Sequence, residues 1–457
     1  MITRIRGGTV ITPEGPRAVD LWIEGERIAA IGSGPGSVDR TIDASGCFVL
    51  PGGIDPHVHI GFTVGEFTSS DDFVTGSRAA AYGGVTTILD FAVPTPGETI
   101  SGAVERRIRE AEGRSAVDFG VHAVVTSVDA DVPGLVAGCV ARGVPDFKVF
   151  TTYDGLRLEL QAMAEVIRRV GEAGGLVMVH AEDDAGIRER VADLVAEGRL
   201  SPESHSLSRP GEVEDAAVAA VLAIQAETGC ALHVVHVSSA AAAARIRDAR
   251  RAGADVSAET CPHYLLHTCD VYRGERAALY MVSPPIKTRR DQEGLWTAFE
   301  DGTIEMASTD HCPFTSEEKG RYNDFRRIPT GLPGVETTLP LLFTAWRERE
   351  WPLERLADRL STGVAKRFGL FPRKGILAEG SDADVVVYDP RPSRVIRAAE
   401  LQMNVDWSPF EGRTVQGCVR DVLIRGVPRI EGGTWRGGLG RFVPRATVGR
   451  LGPSVSD

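Results

Sequence analysis

The chain has 457 residues, of which 42% are hydrophobic and 25% are charged, so it has enough apolar surface to fold without disulfides and is not a disordered chain. Its formal net charge is −12, and its basic residues are not clustered, which argues against a nucleic-acid partner. No apolar run reaches the roughly 20 residues that cross a bilayer, so we expect no membrane partner either.

The cysteines and the first residues indicate a cellular compartment. Seven cysteines are scattered along the chain, and no two of them form a Cys-x-x-Cys pair. The opening residues Met1 to Gly8 contain no apolar region of the kind found in a signal peptide. We therefore expect a cytoplasmic protein whose cysteines are reduced.

The two ends of the chain share a β-rich texture. Short β-branched and aromatic runs at 9–12 and 18–23 are bounded by turn residues, and similar runs occur at 383–389 and 419–426. We predict that residues 1–50 and 375–440 together form one small β-sandwich built from both termini. Residues 441–457, rich in Gly, Arg, Pro and Ser, are predicted to be a C-terminal tail.

The middle of the chain, residues 51–374, alternates strand-like and helix-like segments. Buried apolar runs that alternate with helices are typical of a parallel sheet covered on both faces. The predicted strands are 53–60, 85–92, 118–125, 147–152, 176–182, 232–239, 256–263 and 304–310, and helices are predicted at 155–174, 212–228 and 239–252. Eight such units favour an α/β fold of the (β/α)₈ type, a TIM-like barrel, over an open sheet.

Polar side chains of a particular kind fall at the ends of the predicted strands. They are His57, His59, Lys148, His180, His236 and Asp310. In a (β/α)₈ barrel the active site forms at the C-terminal ends of the strands, so five strands bring these residues to one rim. We therefore expect all six to surround one site.

Each of these residues also has an ordinary explanation when taken alone. His180 or His236 could be a hydrogen-bonded core histidine, and Asp310 could cap a helix. Lys148 is harder to explain, because a lysine between Phe147 and Val149 in a buried strand leaves a charge without water. The joint occurrence of all six on one rim favours a metal site.

The chemistry of the set suits two divalent ions. His57 and His59 point to the same side of their strand and, with Asp310, can bind one ion, while His180 and His236 can bind the other. Two ions in one site need a bridging anion, and a carbamate formed from Lys148 and CO₂ would supply one. Zn²⁺ is the first choice, and Mn²⁺ or Co²⁺ suit the same ligands.

Several motifs along the chain resemble one known family. They are PGGIDPHVH at 51–59, SDDF at 70–73, GGVTT at 83–87, FKVFTTY at 147–153, VHAE at 179–182, HVS at 236–238, SPP at 283–285, STDHC at 308–312 and FVPR at 442–445. Together they resemble the cyclic amidohydrolases, and most closely the dihydropyrimidinase and D-hydantoinase branch. The resemblance covers nearly the whole chain.

The resemblance implies an activity and a set of roles. It implies ring opening of a dihydropyrimidine or 5-substituted hydantoin by a hydroxide that bridges two metal ions, with no organic cofactor. Asp310 would act as general base and then acid, and Tyr153 would donate a hydrogen bond to the oxyanion. The backbone of Ser283 and of residues 328–331, which include Thr330, would hold the small cyclic amide. A homotetramer or dimer is also implied.

Residues beyond the metal ligands are predicted to contact the ring substituent. Phe62, Val64 and Phe67 follow the first predicted barrel strand, and Leu156 follows the fourth. We expect these four side chains to form an apolar pocket wall; packing in the core or exposure at the surface is the alternative. An apolar wall discriminates weakly, by about 1–3 kcal/mol per methylene.

Departures from the family pattern leave other activities open. Gly61 stands where dihydroorotases carry an arginine for a carboxylate substrate, and Thr330 stands where this branch usually has Asn. Allantoinases typically lack the tyrosine that Tyr153 represents, so allantoin and dihydroorotate hydrolysis are weaker alternatives. A non-catalytic scaffold related to dihydropyrimidinase is the alternative of another class, and retention of all six ligand positions argues against it.

Overall fold

The computed structural model describes residues 1–128 and 132–447. Its strands are β1 (Ile2–Arg6), β2 (Thr9–Thr12), β3 (Gly15–Ala18), β4 (Leu21–Glu24), β5 (Arg27–Ile31), β6 (Arg40–Asp43), β7 (Phe48–Pro51), β8 (Gly53–Val58), β9 (Thr63–Val64), β10 (Phe67–Thr68), β11 (Val85–Ala92), β12 (Asp118–Val124), β13 (Asp146–Phe150), β14 (Leu176–His180), β15 (Ala231–Val234), β16 (Val256–Thr260), β17 (Met306–Ala307), β18 (Val385–Val395), β19 (Thr414–Ile424), β20 (Val427–Glu431) and β21 (Thr434–Trp435). Among the described helices, none is both long and apolar enough to span a membrane.

Helices cover the outside of the barrel and connect its strands. They are α1 (Thr75–Tyr82), α2 (Ile100–Ala111), α3 (Val132–Ala141), α4 (Leu160–Glu172), α5 (Asp184–Ala196), α6 (Pro202–Ser208), α7 (Gly211–Thr228), α8 (Ala240–Arg251), α9 (Pro262–Leu266), α10 (Arg289–Glu300), α11 (Ser316–Gly320), α12 (Thr338–Glu348), α13 (Leu353–Ala357) and α14 (Gly363–Arg367). Short 3₁₀ helices lie at Cys269–Tyr272, Ala277–Tyr280, Phe325–Arg327 and Ala398–Glu400, and a π-helical turn lies at Asp358–Thr362.

Both termini contribute to one β-sandwich. A seven-stranded sheet has the order β21-β20-β19-β18-β7-β2-β3, and a four-stranded sheet has the order β5-β4-β1-β6. The two ends of the chain meet where β7 pairs with β18, with Leu50 opposite Val386. Apolar side chains from both sheets, such as Ile5, Leu21 and Leu423, are buried in one cluster. The predicted sandwich from both termini is therefore confirmed.

Eight parallel strands form the barrel. Their order is β17-β16-β15-β14-β13-β12-β11-β8, so every strand lies beside its neighbour in the chain. The two edges meet where Val58 pairs with His311, and the His59 N–H donates to the His311 carbonyl at 2.9 Å. The described residues therefore confirm the predicted (β/α)₈ barrel.

Several strands end earlier than the sequence predicts. The sixth barrel strand, β15, ends at Val234, and the eighth, β17, ends at Ala307, so His236 and Asp310 follow the strands instead of lying in them. Both residues have positive φ angles, 37° and 49°, which are incompatible with extended backbone. In both cases strand pairing stops just before the backbone turns, and the turn brings the side chains of His236 and Asp310 over the mouth of the barrel.

The described part of the predicted tail packs beneath the barrel. Phe442 pairs with Phe119 of β12, and Arg445 is fully buried. The guanidinium of Arg445 donates to the carboxylate of Asp146, which also lies 3.0 Å from Nδ1 of His122. The segment up to residue 447 thus closes the end of the barrel opposite the predicted site, while residues 448–457 lie outside the described residues.

We expect the substitution Arg445→Ala to lower the free energy of unfolding by about 3–5 kcal/mol, because it leaves the buried Asp146 carboxylate without its cation. Urea unfolding would measure the loss. Arg436→Ala is the matched control, since Arg436 forms an exposed ion pair with Glu431, and such pairs contribute about 0–1 kcal/mol. Equal losses in the two variants would contradict the structural role of Arg445.

Candidate metal centre

The predicted site residues surround one open cavity at the C-terminal ends of the barrel strands. The cavity has a volume of about 370 Å³, within the range typical of small-molecule sites. Its described lining is His57, His59, Phe62, Thr63, Val64, Gly65, Val93, Lys148, Phe150, Tyr153, Asp154, Leu156, His180, His236, Val282, Ser283, Asp310, Cys312, Thr330 and Gly331. All six predicted metal ligands are brought together here.

One group of ligands consists of His57, His59 and Asp310. Nε2 of His57 lies 3.2 Å from Nε2 of His59, and Oδ1 of Asp310 lies 3.3 Å and 3.0 Å from these two nitrogens. The other ring nitrogen of His57, Nδ1, donates to the Glu259 carboxylate at 2.5 Å, which leaves a lone pair on Nε2. Lone pairs facing a carboxylate at this distance fit a bound cation.

The second group consists of His180 and His236. Nδ1 of His180 lies 2.9 Å from Nε2 of His236, and Nε2 of His180 donates to the Glu182 carboxylate at 2.9 Å. Glu182 therefore sets the tautomer of His180 and turns its free lone pair toward His236. This geometry fits a second cation beside the first.

Burial keeps the imidazoles of His57, His180 and His236 neutral, as metal binding requires. Desolvation lowers the pKa of His57 to about 4, although the nearby Glu259 carboxylate opposes the shift. Burial also lowers the pKa of His180 and of His236. Near neutral pH all three rings offer a lone pair instead of a positive charge.

Lys148 lies on β13 between the two groups of ligands. It is 1% exposed, its Nζ lies 5.2 Å and 5.1 Å from the ring centres of Phe91 and Phe150, and no carboxylate among the described residues hydrogen-bonds to it. Desolvation lowers the pKa of its amine to about 7, against the weaker attraction of Glu259 and Asp310. A substantial fraction of the amine is therefore uncharged near neutral pH.

The backbone is strained at three of the predicted site residues. Tyr153, His236 and Asp310 have φ angles of 81°, 37° and 49°, in the left-handed region that non-glycine residues rarely adopt. Strain of this kind costs about 1–3 kcal/mol per residue and persists where the surrounding structure holds it. At each of the three positions it directs a side chain into the cavity.

Tyr153 stands beside the second group of ligands. Its ring centre is 4.9 Å from that of His180, and the Arg209 guanidinium lies 5.4 Å from the centre of the Tyr153 ring. Arg209 also pairs with Glu182 at 2.5 Å. Burial raises the pKa of the Tyr153 phenol, so the hydroxyl stays protonated and can donate a hydrogen bond.

The predicted substrate-binding residues are placed mostly as expected from the sequence. Ser283, Thr330, Phe62, Val64 and Leu156 line the cavity. Phe67 does not belong to the described lining; it is buried in a cluster with Cys312 and Phe314, against which Phe62 and Val64 pack. Its ring therefore supports the apolar wall from behind, because it packs against Cys312 and Phe314.

Sequence reasoning missed the residues that orient the ligands. They are Glu259 on β16, Glu182 just after β14, and Arg209 between α6 and α7. Glu259 could have been found by the argument applied to Lys148, since a glutamate within a buried strand needs a partner. The partnership of Arg209 with Glu182 and Tyr153 left no local signal, because the three residues are distant in sequence.

Comparison with known proteins places this arrangement in a family. Residues 48–429 match the family described as the amidohydrolase family. The chain is 38% identical to a D-hydantoinase of Streptomyces coelicolor, over 97% of this chain and 98% of that protein. It is likewise 38% identical to a D-phenylhydantoinase of Escherichia coli, over 96% and 97% of the two chains.

Its fold superposes on the crystal structure of dihydropyrimidinase from Brevibacillus agri with a TM-score of 0.96 and 38% identity, over 99% of this chain and 100% of that one. The sequence match and the structural match each extend over nearly the full length of both proteins. The chain therefore belongs to the amidohydrolase family and, within it, to the dihydropyrimidinase and hydantoinase branch of metal-dependent cyclic amide hydrolases.

Proposed function

We propose that this protein opens 5-substituted hydantoin or dihydropyrimidine rings by hydrolysing a ring C–N bond. The observation that carries the proposal is the convergence of four imidazoles, the Asp310 carboxylate and one buried lysine on a single cavity beside Tyr153. The relatives named D-hydantoinase and D-phenylhydantoinase support the choice of ring.

Two divalent ions would be held by the two ligand groups. His57, His59 and Asp310 would bind one, and His180 and His236 the other, with Zn²⁺ as the first choice for these ligands. When bound, such ions lower the pKa of water and polarise the carbonyl under attack.

Lys148 is proposed to bridge the ions as a carbamate. Its uncharged amine forms an N–C bond with CO₂ and loses a proton, which converts one nitrogen into a group with two anionic oxygens. No carboxylate among the described residues forms a hydrogen bond or ion pair with Nζ, which supports this modification, because a buried ammonium without a bonded partner is costly. The carbamate would place a negative charge, instead of a partly protonated amine, in a site that is proposed to hold two cations.

The protein's own residues would carry the proton and hold the substrate. Asp310 accepts the proton of the attacking water and passes it to the leaving nitrogen. The Tyr153 hydroxyl donates to the carbonyl oxygen as negative charge develops on it. The backbone groups of Ser283 and Thr330 would pair with the ring amide, and Phe62, Val64 and Leu156 would contact the ring substituent.

Dihydroorotate is a weaker substrate candidate for a specific reason. Lys148 is the only lysine or arginine in the described cavity lining, so nothing there pairs with a substrate carboxylate. Gly61 has a φ of 57°, in the left-handed region, where an arginine would be strained.

Dimeric or tetrameric assembly and a cytoplasmic location stay predictions from the sequence.

Ring-opening assays test the proposed reaction directly. Protein of measured metal content would be assayed with substituted hydantoins, dihydrouracil, allantoin and dihydroorotate. We expect turnover of hydantoins or dihydrouracil well above that of dihydroorotate, because the cavity wall is apolar. A protein loaded with two metal ions that opens none of the four rings would contradict the proposal, and metal-free protein would indicate a scaffold.

We expect Lys148→Ala to lose bound metal and activity together, with turnover falling by at least about 100-fold, since even residues that only orient metal ligands commonly cost 10–100-fold. Elemental analysis and the ring-opening assay measure the two losses. Lys366→Ala is the control, because Lys366 is an exposed lysine remote from the cavity. Normal turnover with two bound ions in Lys148→Ala would refute the bridging role.

We expect Tyr153→Phe to lower kcat by about 10²–10³-fold while the metal content stays unchanged, because the variant loses one oxyanion donor but no ligand. Steady-state kinetics and elemental analysis provide the measurements. Tyr322→Phe serves as control, since the Tyr322 hydroxyl donates to the exposed Glu66. An unchanged kcat in Tyr153→Phe would remove Tyr153 from the mechanism.

A further inference from the structure

The segment around Ser283 is held by three buried side chains, each of which donates to a different backbone carbonyl. Lys319 Nζ donates to the Met281 oxygen at 2.7 Å, His205 Nε2 to the Val282 oxygen at 2.8 Å, and the Tyr264 hydroxyl to the Pro284 oxygen at 2.6 Å. Among the described residues, no hydrogen bond is made to the Ser283 backbone N–H or carbonyl. The flanking carbonyls are thus fixed while the Ser283 peptide groups remain available.

Lys319 is the most unusual of these three donors. It lies on the short helix α11, is 0% exposed and forms no ion pair with a carboxylate among the described residues. The only aromatic ring near its Nζ in the described structure is that of Trp407, whose centre is 5.6 Å away. Burying an amine with so few partners lowers the stability of the fold. Stability therefore does not explain why residue 319 is a lysine.

The oxygen that Lys319 binds connects two parts of the cavity lining. The Met281 carbonyl also accepts from the Gly331 N–H at 2.9 Å. Met281 directly precedes Val282 and Ser283 in the chain. The cavity is lined by Val282, Ser283, Thr330 and Gly331. One carbonyl oxygen therefore joins the two backbone segments, and the Lys319 amine fixes that oxygen from outside the cavity.

We infer that Lys319 is a positioning residue that sets the distance between the Ser283 and Thr330 backbones, and so the fit of the ring amide between them. The inference rests on the proposed function, in which these two backbones pair with the substrate. Lys319 acts only through Met281 and is absent from the described cavity lining. Displacements of about 1 Å in such groups can cost 10²-fold in rate.

The variant Lys319→Met tests the inference, because methionine fills similar volume without an amine. We expect kcat/KM for the best ring substrate to fall roughly 10- to 100-fold, chiefly through a higher KM. Metal content should stay at the wild-type value, and the thermal midpoint should be equal or higher because a buried amine has been removed. If Lys319 were needed only for stability, the variant would instead have a lower thermal midpoint and an unchanged kcat/KM.

Thr12→Val is the matched control. The buried Thr12 hydroxyl donates to the Gly15 carbonyl in the sandwich, so this variant also removes a buried hydrogen bond to a backbone oxygen, but far from the barrel mouth. Its kcat/KM should equal that of the wild type. If Lys319→Met does not accumulate as folded protein, Lys319→Gln replaces it, with lower kcat/KM at full metal content as the expected result.

A wild-type kcat/KM in the folded Lys319 variant would overturn the inference, and so would a fall in kcat/KM that only follows a loss of metal. Failure of the proposed function gives a different result, because the wild-type protein itself would then open none of the rings. The two failures are therefore distinguished by the activity of the unmodified chain.

Discussion

Electron-pair donors that face one another across a buried space constrain the whole site. Nε2 of His57 and Oδ1 of Asp310 lie 3.3 Å apart, and Nδ1 of His57 is already committed to Glu259. No proton remains on the imidazole to separate the two lone pairs, so the arrangement is stable only with positive charge between them. The barrel brings these donor atoms close together, because the C-terminal ends of its strands, which carry the polar residues, meet at one rim.

Buried carboxylates behind the ligands make the crowding possible. Glu259 orients His57, and Glu182 orients His180, so each group of ligands has its own acceptor on the far side of a ring. Glu182 also pairs with Arg209, whose guanidinium lies over the Tyr153 ring. Arg209 thereby connects the proposed cation ligands to Tyr153, the proposed hydrogen-bond donor to the oxyanion.

The sequence predicted the parts of the structure that leave a local pattern. Apolar runs alternating with helices indicated the barrel, and the polar residues at their ends, such as His57, Lys148 and Asp310, indicated one shared rim. Contacts between distant residues left no such pattern: the hold of Lys319 on Met281 and the burial of Arg445 against Asp146 exist only after folding. The position of Phe67 behind the wall depends in the same way on its packing against Cys312 and Phe314, which are distant in sequence.

The pairing of β7 with β18 has a consequence for synthesis on the ribosome. Leu50 and Val386 are partners in one sheet, yet nearly the entire barrel is translated between them. At a translation rate of about 5–20 residues per second, β7 is synthesised on the order of tens of seconds before β18. During that interval the edge of β7 is open to pairing with other nascent chains, so shielding by a chaperone would matter most for the amino-terminal strands.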